Sequence, residues 1–123
     1  MIYLASPYTH EDEAIRELRA TQAALAAGRL MLATGEAVFS PIAHGHTVHA
    51  VHGELPLNWE FWRGQCFPYL DACDSVAVLM LDGYENSVGI NAEVDYAKSY
   101  GKEVTYYLQG ELKLMELAAL NKQ

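Results

Sequence analysis

Short apolar stretches alternate along this chain with longer segments whose apolar positions recur at helical spacing. MIYLA at the start reads as a first strand. Residues 6–35 follow, with Thr9 as a helix cap and Glu11, Asp12 and Glu13 in a first turn whose positive end favours them. Ile15, Leu18 and Leu25 share one face of that helix, and Gly35 is its natural stop. EAVFS is a second strand. SPIAHGHTVHAVHGEL then reads as a long loop, punctuated by Pro41, Gly45, Gly53 and Pro56. LNWEFWRGQCFPYLDAC is a second helix, weakened by Gly64 and Pro68. SVAVLML is continuously apolar, as a strand buried on both faces must be. SVGINAEVDYAKSYG is a third helix between a Ser87 cap and a Gly101 stop. KEVTYYL is a fourth strand, and ELKLMELAAL a terminal helix.

This βαβαβαβα order predicts an α/β fold: a single domain over residues 1–123, with a parallel sheet of about four strands and helices on both faces. The expected architecture is a Rossmann-like or flavodoxin-like three-layer sandwich. Such sheets bind ligands beyond the carboxyl ends of their strands. That places SPYTH, SPIAHGH and DGYENSVG near a site. Asp71 and Asp74 fall at the opposite edge, where a structural role is expected.

The net charge of −8, with few and scattered Lys and Arg, argues against a nucleic-acid polymer as partner, because such binding needs clustered positive charge. No long charge-free apolar run predicts a membrane span, and the first residues do not have the pattern of a signal peptide. Cys66 and Cys73 on one helix would lie about 10 Å apart along its axis, too far for a disulfide. Two free thiols point to the cytoplasm.

The richest chemistry lies in LDGYENSVGINAEVDYAKSYGKEV. A buried strand ends there in a loop, and a helix opens near Ser87, where unpaired amides and a partial positive charge can hold an anion. Asn86 lies in that loop, and Gly89 leaves the approach open. Glu93, four residues after Gly89, shares its helical face and sets a carboxylate beneath the rim. The alternative is a Ser87 that only caps its helix and a Glu93 that is solvated.

Three segments, IYLASPY, FSPIAHGH and SVGINAEVDYAKSYGKEV, resemble the nucleoside 2-deoxyribosyltransferase superfamily over roughly Ile2 to Val104. Within it the chain resembles a small, poorly characterised branch near the nucleoside 5′-monophosphate N-glycosidases. The resemblance implies cleavage of an N-glycosidic bond, by hydrolysis or by transfer, with no metal or organic cofactor. Glu93 matches the nucleophile and Tyr3 the tyrosine that positions it. Ser6, Pro7, Tyr8 and Thr9 match the loop lining the sugar and base pocket. Ser87 and Gly89 match the rim for the 5′ end, and a serine at 87 favours a monophosphate. His44 matches the pocket edge. Cys66 stands where the superfamily has an aspartate that assists the leaving base. Either another group does that work, with Asp82 at the end of the third strand as a candidate, or activity is reduced or lost. The resemblance also implies a homo-oligomer.

Two other readings follow from the same residues. Loss of that aspartate suits a non-catalytic nucleotide binder. The four histidines His44, His46, His49 and His52 suit a metal-dependent hydrolase, although no tight ligand pattern such as His-Glu-x-x-His accompanies them. Trp59, Phe61, Trp62, Phe67 and Tyr69 read as core or subunit interface, and Tyr8 as the better stacking partner for a base.

Overall fold

A computed structural model describes residues 1–122. The elements run β1 (Ile2–Ala5), α1 (Glu13–Thr34), β2 (Val38–Phe39), α2 (Pro41–Val51), α3 (Trp59–Ala72), β3 (Ser75–Leu79), α4 (Val88–Ser99), β4 (Glu103–Tyr107) and α5 (Gln109–Leu120). All four strands are parallel, in the order β2-β1-β3-β4. β1 and β3 pair from Ile2 opposite Ser75 to Ala5 opposite Val78. The expected three-layer α/β sandwich is therefore the fold.

Strand alternation sorts the two faces. Tyr3, Ala5, Val76 and Val78 point toward α3 and α4, where Cys66, Leu70, Ile90, Val94 and Ala97 complete one core layer. Ile2, Leu4, Ala77 and Leu79 point the other way, onto Ala26, Ala27 and Leu30 of α1 and Leu112 of α5. Since the chain goes from β1 out to β2 and then back across to β3, the crevice between the carboxyl ends of β1 and β3 is the switch point of the sheet.

Three expectations change. The first helix is capped by Asp12, whose carboxylate accepts from the Ala14 amide at 2.9 Å, and not by Thr9. Its buried face is Ala20, Ala23, Ala26, Ala27 and Leu30, while Ile15 is half-buried and Leu18 and Leu25 are exposed. The small alanines let the helix lie close on the sheet, and bulky leucines are turned outward. The largest change is the histidine segment, which is helical over Pro41–Val51. Ser40 accepts from the Ala43 amide at 3.1 Å as N-cap, and Pro41 takes the first turn, where its missing N–H costs nothing. Gly45 does not break this helix. A Cβ there would lie 3.3 Å from the Trp62 ring, so glycine admits the indole.

Asp71 and Asp74 do sit at the far edge. Asp74 pairs with the amino terminus at 2.8 Å, and Asp71 accepts from the Tyr96 hydroxyl. Cys66 and Cys73 are both free and buried. Among the described residues, no helix is long and apolar enough to cross a membrane.

Candidate active site

A cavity of about 450 Å³ opens at the switch point. Four segments line it: the loop after β1 with Ser6–Thr9, one face of α2, the start of α3, and the loop from β3 into α4. That volume is in the range of small-molecule sites.

Glu93 forms part of the lining, although it is only 4% exposed. It lies on α4 because Ser87 caps that helix, accepting from the Ile90 amide at 3.2 Å, so Glu93 comes one turn past Gly89 on the same side. Tyr3, on β1, is fully buried and donates its hydroxyl to Glu93 Oε2. Burial pushes the Glu93 carboxyl up to about 7, and the Tyr3 hydrogen bond pulls it partly back. Burial, with the Glu93 charge adding to it, pushes the Tyr3 phenol far above its ordinary range. Glu93 is thus a poised, oriented carboxyl and not a solvated surface residue. Tyr3→Phe removes the bond that favours the ionised form. The expected result is a further rise in the Glu93 pKa, visible by carbon-13 NMR of the carboxyl; an unchanged titration would show that the hydroxyl does not act on it.

The rim above Glu93 is electropositive. The first helical bond of α4 is from Asn91 to Ser87 at 3.0 Å, so the amides of Val88 and Gly89 have no helical acceptor. The Ser87 hydroxyl accepts within its cap and keeps a proton to donate. Arg19, from α1, also lines the cavity, donating to the carbonyls of Thr9 at 2.9 Å and Asp82 at 3.0 Å. Both partners are neutral carbonyls, and among the described residues no carboxylate lies within ion-pair distance of it. Gly83, at a φ of +86°, makes the turn that brings the Asp82 carbonyl to Arg19. Ser6 is 4% exposed, and its hydroxyl lacks a protein partner although it lines the cavity. A ligand hydroxyl or water would satisfy it.

The aromatic wall comes from α3. Trp59 and Trp62 line the cavity, and a Cβ at Gly89 would lie 3.3 Å from the Trp59 ring. Gly89 therefore admits an indole as much as a ligand. Tyr8 faces them from the first loop and shares a 2.8 Å hydrogen bond with His46 Nδ1. Phe67 packs against Trp59 and Tyr96, and Tyr69 stacks on Phe39, so these two are packing residues.

Ser6, Pro7, Tyr8, Thr9, Cys66, Asn86, Ser87, Gly89 and Glu93 all line the one cavity. Three named residues do not. Tyr3 is fully buried in the core and reaches the site only through its bond to Glu93. His44 packs beside Phe39 and Tyr69 in a small separate cleft, because residues two apart on a helix face about 200° from each other. His46 and His49 line the cavity in its place. Asp82 is exposed, lies outside the cavity lining and gives its backbone carbonyl to Arg19, so its side chain is not placed for the candidate role the sequence offered. Cys66 lies where its thiol feels the Glu93 charge; burial first and that charge second push it up to about 11. Among the described residues no three His, Cys, Asp or Glu side chains are grouped to hold a metal ion, which removes the basis of the histidine metal site. The sequence does not single out Arg19, and it assigns Trp59 and Trp62 to core or subunit interface, whereas both indoles line the cavity. Arg19 had the weakest signal, a single arginine on a charged helix.

Residues 1–109 match the domain of unknown function DUF1937, and the chain belongs to that family. A search of curated proteins finds no match.

Proposed function

We propose that this member of the DUF1937 family cleaves the N-glycosidic bond of a nucleoside 5′-monophosphate or nucleoside, with Glu93 as nucleophile. The observation that carries this reading is the buried, tyrosine-held Glu93 carboxyl beneath an electropositive rim. The resemblance to the nucleoside 2-deoxyribosyltransferase superfamily supports it independently. Attack of the ionised carboxylate on C1′ forms a glycosyl ester and expels the base. Water or a second base then releases the sugar, giving a hydrolase or a transferase. The carboxylate stabilises the oxocarbenium-like transition state while covalent capture divides the barrier.

The ligand's polarity follows the lining. Phosphate belongs at Arg19, Ser87 and the opening amides of α4, and the sugar over Glu93 with Ser6 near a hydroxyl. The base belongs against Trp59, Trp62 and Tyr8, where stacking is favourable. The overall negative charge favours a single nucleotide over a polymer. Two buried free thiols suit the cytoplasm. Exposed Leu18, Leu25 and Leu32 on α1 and Leu114 and Leu117 on α5 suit a homo-oligomer.

The test is incubation with ribo- and deoxyribonucleosides and their 5′-monophosphates, followed by chromatography for free base. Release is expected, with monophosphates preferred. Arg19→Ala should lower kcat/KM for a monophosphate by roughly 10- to 100-fold, the loss of one charge-assisted contact, and leave the matching nucleoside nearly unchanged. Equal loss on both would remove Arg19 from phosphate binding. Saturable binding of a monophosphate without release would instead favour the non-catalytic binder, the reading to which Cys66 lends weight.

A further inference from the structure

Expelling a base from C1′ leaves negative charge on its ring, and that charge needs a proton. The ionisable side chains around the cavity can be taken in turn. Glu93 is committed to C1′. Arg19 does not release its proton. The Cys66 thiol is buried and a poor donor. Asp82 lies outside the cavity. That leaves the imidazoles of α2 and the Tyr8 phenol bonded to one of them; α2 meets the aromatic wall where Gly45 packs on the Trp62 ring.

His46 differs from His49 in being held. Its Nδ1 is 2.8 Å from the Tyr8 hydroxyl, and the two rings meet edge to face with centroids 5.7 Å apart. A hydroxyl both donates and accepts, so the bond persists in either protonation state: the phenol donates to a neutral Nδ1 and accepts from a protonated one. Nε2 is then the nitrogen left for a ligand. A proton-transfer group oriented by a third residue is the arrangement that general acid–base catalysis requires.

We propose that His46, oriented by Tyr8, is the general acid for the leaving base, the role left open by Cys66. This rests on the glycosidase reading above. As the C1′–N bond breaks, its electron pair stays on the base and a Glu93 oxygen bonds to C1′. The Nε2 proton of the imidazolium passes to the base, which leaves neutral, and His46 becomes neutral imidazole. When water attacks C1′ and frees Glu93, its released proton returns to His46. Protons and charge balance over the cycle, with no other reactant.

The experiment compares two leaving groups on the native chain. One substrate set is the common nucleoside 5′-monophosphates, ribo and deoxyribo. The other is the p-nitrophenyl glycosides of the same sugar 5-phosphates, whose nitrophenolate departs without a proton. His46→Gln should slow base release by about 100-fold or more and change nitrophenolate release by less than about threefold. Tyr8→Phe, which keeps the ring, should show the same selectivity at smaller size. Equal slowing of both substrate sets, or full activity of His46→Gln on the nucleotides, overturns this assignment while wild-type activity leaves the glycosidase reading intact. Failure of the wild-type protein on both sets overturns the glycosidase reading and this one together.

Discussion

Glu93→Gln is expected to stop base release, by about 10⁴-fold or more, since under the proposed function it removes the nucleophile and leaves only binding and electrostatic effects. The same substitution is expected to make the protein more stable at pH 8. The second effect comes from burial. The Glu93 carboxyl titrates at about 7 in the folded chain, against an ordinary value of 4.5. Between those values the folded protein holds a proton that the unfolded chain has released, so stability falls as pH rises through that window. Above pH 7 the cost is fully present, on the order of 3 kcal/mol. Glutamine has nearly the same shape and does not titrate. Urea unfolding should therefore show Glu93→Gln and wild type close together at pH 4.5, and the variant ahead at pH 8. Parallel pH dependence in the two proteins would mean that Glu93 does not carry its charge in a buried site.

Leu4→Ala should cost about 3–5 kcal/mol, the range for a leucine removed from a core that cannot close over the gap. Leu4 is fully buried on a central strand. Its layer contains Ala26, Ala27 and Ala77, which are too short to reach into the space. A domain of this size has only about 5–15 kcal/mol in hand, so much of the margin would go. The alternation of β1 also makes a sharper statement. Leu4 faces α1 and α5, whereas Tyr3 faces α3 and α4 and bonds to Glu93. At low temperature, where the variant stays folded, Glu93 should titrate as in wild type. The denaturation midpoint and the carboxyl NMR signal read the two effects separately; a small loss of stability would show that the layer repacks.

Local rules identified much of the architecture because they act within a few residues. The apolar run at β3 marked a strand covered on both faces. Ser87 marked the start of α4, and the four-residue step to Glu93 placed the carboxylate one turn below the rim. The same rules misread SPIAHGHTVHAVHGEL. Ser-Pro can open a helix as readily as it can punctuate a loop, and a glycine inside a helix is tolerated where another ring needs the room. Without the helix there is no phase, and without phase His44 could not be separated from His46.

The sequence by itself determined a parallel α/β chain, the helix that carries Glu93, and the loops that gather at the carboxyl edge of the sheet. It left Glu93 either solvated or poised, and offered no reason to choose Arg19 or the two indoles. Those choices depend on strand order. Placing β1 beside β3 brings Tyr3 onto Glu93, closes α3 over both, and sets Arg19 across two loops far apart in sequence. Burial, pKa and cavity lining arise from contacts between such distant segments, so only the tertiary structure could decide them.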